Sequence, residues 1–181
     1  MTDQRMTRRA AVVGGVVAVA GAMVFSARSQ AEMAHTEIEV GGAVASPTTF
    51  TVEDLAALPQ HEMKISWEDY EDGAEKTFTG PLLWDVLAAT SPNIDPGQED
   101  VGAMLYLVVE GYDGYAILMS WGEISPDFGN AEAILAIAEN GAPLAEKLQP
   151  AWLVVGGDAL KGRSVFGVVK ITVAEADAAD S

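Results

Sequence analysis

The residues best suited to bind a charged ligand form the sequence Lys161-Gly162-Arg163, which follows Gly156-Gly157. Glycines let backbone N–H groups approach an anion, and the two cations add positive charge, so the pattern is typical of a phosphate-type anion site. The same residues also suit a surface hairpin whose charges are solvated. Lys161 and Arg163 are therefore candidate cofactor-binding residues, with the surface hairpin as the alternative.

Three aromatic residues are further candidates for binding a cofactor. Tyr112 and Tyr115 flank a turn and can present hydroxyl groups to a ligand, whereas Asp113 between them is typical of a turn residue. Trp67 ends an alternating apolar run, so it can wall a pocket or pack in the core. We predict that three loops converge on one cleft: residues 67–76, 112–115 and 156–163.

Several common catalytic and metal-binding chemistries lack their residues in this chain. The 181 residues contain no cysteine and two histidines, His35 and His61. A thiolate is therefore absent as nucleophile or metal ligand, and a usual zinc or copper site would need more nitrogen or sulfur ligands. No Gly-x-Ser-x-Gly sequence marks a hydrolase nucleophile. We predict no catalytic residue and no metal ligand.

An export signal opens the chain. Arg8 and Arg9 precede a short apolar run from Ala10 to Phe25, and small residues follow up to Ala31. A paired arginine before such a run is typical of the bacterial twin-arginine pathway, which carries folded proteins to the periplasm. Cleavage after Ala31 gives a signal at 1–31, a domain at 32–173 and a disordered acidic tail at 174–181. The alternative is an uncleaved membrane anchor, the one case in which we expect contact with a membrane.

The charge of the chain excludes one large class of partner. The predicted signal removes four arginines and one aspartate, which leaves 6 of the 10 basic and 26 of the 27 acidic residues, a formal charge of −20. Such a field repels phosphate backbones, so we expect no nucleic-acid partner. It permits a basic partner or divalent cations, and it also simply keeps a protein soluble.

Short elements follow one another along the rest of the chain. Thr51 and Asp54 have the spacing of a helix capping box, and Pro59 ends that helix. Asp113-Gly114 and Asn140-Gly141 are typical hairpin turns. The pattern predicts an α+β domain with many short strands and a few short helices. We expect strands around these segments: 38–40, 63–67, 103–109, 115–119, 133–138, 150–155 and 165–173.

The order of these motifs resembles the sulfite oxidase-type molybdopterin-binding domain family, in its small stand-alone periplasmic form. The resemblance covers nearly all of residues 37–173 and implies a sulfite-oxidase-like fold of mixed sheets. It depends on these sequences: Val40-Gly41-Gly42, Asp54-Leu55, Phe78-Thr79-Gly80-Pro81-Leu82-Leu83, Gly111-Tyr112-Asp113-Gly114-Tyr115, Asn140-Gly141-Ala142-Pro143-Leu144 and Pro150-Ala151-Trp152-Leu153-Val154-Val155.

The resemblance also implies a cofactor. Active members of the family hold molybdenum through a pterin dithiolene and one protein cysteine, which lies in the loop before the Gly-Pro-Leu-Leu helix. The corresponding stretch here, Trp67 to Lys76, contains no cysteine. A thiolate completes the soft, sulfur-rich shell of the metal, and the carboxylates of this loop would make a different centre.

Two functions from different classes follow. The first is a non-catalytic exported module that binds a small molecule or a periplasmic protein partner, which the missing cysteine favours. The second is a molybdopterin-dependent oxidoreductase, or a subunit of one, with a non-cysteine metal site. The twin arginine favours the second, because proteins exported folded have often taken up a cofactor first.

Overall fold

The structure, a computed structural model, describes residues 35–91 and 101–177. The predicted signal at 1–31 and residues 178–181 of the predicted tail lie outside the described residues. The strands are β1 Glu37–Gly42, β2 Thr48–Thr51, β3 His61–Ile65, β4 Lys76–Gly80, β5 Leu105–Gly111, β6 Ala116–Ser120, β7 Ala133–Ala136, β8 Ala138–Glu139, β9 Ala142–Pro143, β10 Trp152–Val155 and β11 Val168–Glu175. The α-helices are α1 Val52–Ala57, α2 Leu83–Ala88 and α3 Trp121–Ile124, and short 3-10 turns cover Glu71–Gly73, Val101–Met104, Glu146–Leu148 and Lys161–Arg163.

The largest sheet has five strands in the order β2-β1-β11-β5-β6. The pairing of β1 with β11 is parallel, and the other pairings are antiparallel. The residues of β5 alternate between buried and half-buried along its whole length. One face of this strand therefore packs against the core, and the other face is more accessible to solvent. Its buried side chains, Leu105, Leu107 and Val109, belong to the main core.

Strands β7 and β10 form a separate antiparallel pair that is buried on both faces. Leu135 and Leu153 point into the main core, whereas Ile134 and Trp152 point into a second core with Trp67 and its neighbours. The pair therefore separates the two cores. This position explains why the two strands are continuously apolar in sequence rather than alternating.

A four-stranded sheet in the order β3-β4-β8-β9 covers the second core. The end of β4 lies against β7, where Leu135 N–H donates to the Pro81 carbonyl and Ile137 N–H donates to the Thr79 carbonyl. A Cβ atom on Gly80 would lie 2.1 Å from the Leu135 carbonyl oxygen. Glycine at this position thus permits the close approach of the two strands.

The predicted helix capping box and the predicted hairpin turns are confirmed, and each depends on interactions between residues close together in sequence. The Thr51 hydroxyl accepts the Asp54 N–H, and the Asp54 carboxylate accepts the Thr51 N–H, so α1 begins with the predicted capping box. The Thr51 N–H and the Thr51 hydroxyl both donate to the Asp54 carboxylate, and they hold the pKa of Asp54 below its ordinary value. The turn after β5 reverses the chain into β6, and Asn140 and Gly141 at positive φ join β8 to β9.

The predicted fold class is confirmed: the domain is α+β, with many short strands in mixed sheets and few short helices. Two boundaries differ from the predicted ones. The strand expected at 133–138 breaks into β7 and β8, and the last strand runs to Glu175, so Ala174 and Glu175 belong to β11 and not to the tail. Within 35–91 and 101–177, no helix is long and apolar enough to span a bilayer.

Candidate functional site

The three loops predicted to converge do meet, around a cavity of about 410 Å³ that we call the loop pocket. The loop after β3 contributes Asp69 and Tyr70, the β5–β6 turn contributes Asp113 and Tyr115, and the Lys161–Arg163 turn contributes Lys161 and Gly162. Two further stretches that we did not expect complete the lining, with these residues: Lys147, Leu148 and Trp152 from the first, and Ser164 and Phe166 from the second.

Hydrogen bonds between distant parts of the chain fix these loops to one another. The backbone N–H of Lys161 donates to Asp69 Oδ1 at 3.0 Å, and the Tyr115 hydroxyl donates to the Gly162 carbonyl. The Asp113 carboxylate accepts the Tyr115 N–H at 2.9 Å and so shapes the hairpin turn. The Lys161–Arg163 turn is thus held by both neighbouring loops, which gives the pocket a defined shape.

Aromatic side chains supply much of the pocket wall. Tyr70, Tyr115, Trp152 and Phe166 all line it. The rings of Tyr70 and Trp152 meet edge to face, with centroids 5.7 Å apart and an interplanar angle of 87°. Edge-to-face contacts of this kind stabilise a fixed ring arrangement, so the wall is ordered before a ligand arrives.

Trp67 lies behind this wall and not on it. Its side chain is 1% exposed and its ring centroid lies 5.6 Å from that of Trp152 and 5.5 Å from that of Phe78. Of the two readings of Trp67 that the sequence left open, the structure places it in the core. Its contact with the pocket is indirect, through the ring of Trp152.

Arg163 is also directed away from the lining. Its guanidinium donates to both carboxylate oxygens of Asp158, at 3.0 and 2.7 Å, and to Glu123 at 2.6 Å. These bonds raise the pKa of Arg163 above its ordinary value. The side chain therefore fastens the Lys161–Arg163 turn to the rest of the domain, and its charge is already neutralised by protein carboxylates.

Tyr112 lies beside the pocket mouth. Its ring packs against Phe166 at 6.2 Å, stacks on His35 at 5.4 Å, and its hydroxyl donates to the Lys147 carbonyl at 3.2 Å. A Cβ atom on Gly167 would lie 2.2 Å from the Tyr112 ring, so glycine makes room for it. Of the five predicted residues, the structure brings Tyr115 and Lys161 into the lining. That the five bind a cofactor stays a prediction.

The charged groups of the pocket are two lysines and two aspartates. Lys161 Nζ lies 5.1 Å from the centre of the Tyr70 ring, within the range of a cation–π interaction. Among the described residues, no carboxylate lies within 4.0 Å of the Lys147 or Lys161 ammonium group, whereas Lys76 contacts both Glu71 and Glu139.

The Tyr70 hydroxyl is shifted toward its neutral form. Burial raises the pKa of Tyr70 above its ordinary value, and the negative charges of Glu71 and Glu139 raise it further. The hydrogen bond from Lys76 lowers the pKa of Glu71. At neutral pH the pocket therefore presents an uncharged phenol, which lies beside the Glu71–Lys76 ion pair outside the lining.

Three buried polar atoms in the described residues have no hydrogen-bond partner: Trp67 Nε1, Trp152 Nε1 and Ser164 Oγ. Trp152 and Ser164 belong to the pocket lining. Buried polar groups are normally paired, so unpaired ones mark places where packing or function has overridden local stability. Sequence patterns do not reveal such atoms, because pairing depends on the tertiary fold.

A smaller cavity of about 170 Å³ lies elsewhere, lined by His61, Trp84, Asn130, Glu132 and their neighbours. His61 Nε2 lies 3.8 Å from Asp85 Oδ2, and 43% of the His61 side chain is exposed. In the part of the chain that the structure describes, no three histidine or acidic residues are grouped closely enough to hold a metal ion.

Comparison with known proteins agrees with the fold. The profile of the family described as the oxidoreductase molybdopterin binding domain matches residues 26–180. The crystal structure of the sulfane dehydrogenase SoxCD from Paracoccus pantotrophus aligns with a TM-score of 0.59 and 21% identity, over 80% of this chain and 39% of that chain. The chain therefore spans well under half of that protein's length, and at this identity the likeness concerns the fold alone. No curated protein matches the chain.

Proposed function

This chain belongs to the family of oxidoreductase molybdopterin-binding domains, and from that premise we propose that it is an exported, non-catalytic module that binds a small ligand in the loop pocket. The membership supplies the fold and the class of cofactor that relatives use. The residues of this chain determine whether it can still bind that class of cofactor.

The side chains do not fit a molybdenum centre of the kind that the family resemblance implies. Such a centre needs a protein thiolate to complete its sulfur shell, and the 181 residues contain no cysteine. In the loop that corresponds to the cysteine position, Asp69 accepts a backbone N–H and Glu71 forms an ion pair with Lys76. Both carboxylates thus already have structural partners.

The observation that carries the proposal is the loop pocket itself. Its volume of about 410 Å³ falls in the range of small-molecule sites, and such sites are typically apolar with a few polar groups. Its aromatic walls are packed in place, and Lys147 and Lys161 have no carboxylate partner among the described residues. A binding site needs these properties, whereas a metal-centred oxidoreductase would need ligands that this chain lacks.

Metal and pterin analysis tests the non-catalytic part of the proposal. The full chain would be produced in a bacterial host with a working twin-arginine pathway, and molybdenum and pterin fluorescence would be measured on the purified protein. A molybdoenzyme purified from the same cells would show that the cofactor was supplied. We expect no stoichiometric molybdenum in this protein. A stoichiometric metal and pterin signal would overturn the proposal.

Export through the twin-arginine pathway is a separate part of the proposal, supported by Arg8 and Arg9 before the apolar run. The matched variant is Arg8→Lys with Arg9→Lys, which keeps the charge and removes the arginine pair. We expect the natural chain in the periplasmic fraction and the variant in the cytoplasm. Equal export of both would show that the arginine pair is not what directs the chain.

A second candidate function is a molybdopterin-dependent oxidoreductase, or a subunit of one, with a non-cysteine metal site. Family membership over residues 26–180 supports it, together with the folded export that a twin-arginine signal provides. The metal analysis above decides between the two functions, because only the second requires a bound metal.

A further inference from the structure

We propose that the loop pocket binds a flat aromatic monoanion, a ring system that carries a single carboxylate or sulfonate group. This inference rests on the proposed function, because it names the class of ligand for the same pocket. Three features of the pocket carry it: the aromatic walls, the two lysines without carboxylate partners, and the apolar surface around the mouth.

The walls favour a flat ring. Tyr70 and Trp152 stand nearly perpendicular to each other, and Tyr115 and Phe166 also line the cavity. Trp152 cannot turn away easily, because it is 2% exposed and packs on Phe78 at a centroid distance of 5.1 Å. Rigid aromatic faces recognise the face or the edge of another ring, whereas flexible aliphatic walls adapt to many shapes.

The lysines favour a negative charge on that ring. In a chain with 27 acidic and 10 basic residues, a cation has many available partners. Lys64, Lys76 and Arg163 each contact at least one carboxylate. Among the side chains that the structure describes, Lys147, Lys161 and Lys170 contact no carboxylate within 4.0 Å. Lys170 is exposed on β11, whereas Lys147 and Lys161 line the same cavity. Their two ammonium groups are therefore available to a ligand anion.

The aspartates limit the ligand to one charge. Asp69 and Asp113 also line the pocket, and each uses one oxygen to hold a backbone N–H in place. Their charges offset those of the lysines in part, so the summed formal charge of the lining is close to zero. A dianion would meet both carboxylates, whereas a single anionic group can lie beside the lysines and away from the aspartates.

The mouth of the pocket extends the apolar contact. Tyr115 and Phe166 line the pocket, Tyr112 packs on Phe166, and Leu160 directly precedes Lys161. These four are 38–53% exposed and make up most of the large hydrophobic side chains that are exposed in the described residues. Apolar surface gathered next to one cavity is typical of a ligand site, and it lowers the local dielectric in which the lysines act.

Three probes of the same shape test the charge. They are 2-naphthoate, 2-naphthamide and 2-naphthylmethylammonium, and isothermal titration calorimetry on the full-length protein would measure their affinities. We expect the anion to bind at least about tenfold more tightly than the neutral amide, which corresponds to about 1.4 kcal/mol. We expect the cation to bind more weakly than the amide.

Charge-removing variants then locate the effect. Lys161→Met and Lys147→Met remove the charge and keep most of the apolar length of the side chain, and the first also keeps the backbone bond to Asp69. Each should weaken 2-naphthoate about threefold or more and leave 2-naphthamide unchanged. Lys170→Met, at an exposed position on β11, is the control and should change neither affinity.

The outcomes separate this inference from the function on which it rests. Equal affinity for all three probes, unaffected by the lysine variants, would overturn the anion preference and leave a ligand-binding pocket. Tightest binding of the cation would show that the aspartates, and not the lysines, set the preference. If none of the probes bound to the folded protein, the proposed ligand class would be overturned, whereas the proposed function would still be decided by the metal and pterin analysis.

Discussion

Replacing Arg163 by methionine tests whether this residue serves the fold or the ligand. In the structure it makes a two-point contact with Asp158 and a single contact with Glu123. An exposed ion pair stabilises by about 0.2–1 kcal/mol, and a hydrogen bond to a charged group by about 1.5–3 kcal/mol. The Arg163 side chain is 40% exposed and its partners are 19–30% exposed, so solvent screens the contacts in part. We therefore expect Arg163→Met to lower the free energy of unfolding by about 1.5 kcal/mol, or the melting temperature by about 5 °C.

Urea denaturation at neutral pH measures this loss. Arg163→Lys keeps the charge but cannot contact both oxygens of Asp158, so we expect it to lose about half as much stability. Lys170→Met removes an exposed charge on β11 that lies opposite Glu39 and Glu110 on the neighbouring strands, so we expect it to lose less than about 1 kcal/mol. If Arg163→Met unfolded at the same urea concentration as the natural chain but no longer bound 2-naphthoate, then Arg163 would act on the ligand and our account of it would be refuted.

Three further predictions concern single groups of the fold. Burial raises the pKa of Tyr70, so the neutral phenol stabilises the fold below about pH 10, and that stability is lost as the pH rises through the folded pKa. The tyrosinate absorbance of Tyr70, identified as the part that Tyr70→Phe removes, should therefore titrate above about pH 10. A lower titration midpoint would contradict the structure. Gly80→Ala should cost at least about 2 kcal/mol in urea denaturation, because the new methyl group would lie 2.1 Å from a carbonyl oxygen of β7, whereas Gly162→Ala, with open space, should change little. Ser164→Ala removes a buried hydroxyl without a hydrogen-bond partner and should stabilise the fold by about 1 kcal/mol. The control is Ser125→Ala, which removes a hydroxyl that accepts a backbone N–H and should destabilise the fold. A loss of stability in both variants would show that the Ser164 hydroxyl is paired.

Local chemistry explains which parts of the fold the sequence predicts. The capping box of Thr51 and Asp54 and the turn at Asn140-Gly141 depend on bonds and dihedral angles within four residues. Such interactions form in the same way in many folds, so their residue patterns are informative. The end of β11 is different, because only its pairing with β5 extends it to Glu175.

The site was predictable at the level of loops but not of side chains. Turn signals and glycines marked the three loops correctly, and the structure confirms that they converge. The direction of each side chain depends on partners far away in sequence: Glu123 draws Arg163 away from the pocket, and β10 brings Trp152 in front of Trp67. Lys147 lies in a short turn with no distinctive pattern, so nothing in the sequence connects it with Lys161.

The distribution of carboxylates around the cations is the strongest reason to treat the loop pocket as functional. Lys76 lies between two carboxylates, and Arg163 contacts two as well. These pairs show how readily this acidic chain neutralises a cation that it needs for structure. Lys147, Lys161 and the exposed Lys170 have no such contact among the described residues, and only Lys147 and Lys161 share a cavity. Residues at functional sites often depart from the patterns that stabilise the rest of a protein, and our proposal accounts for both lysines by an anionic ligand that binds between them and the aromatic walls.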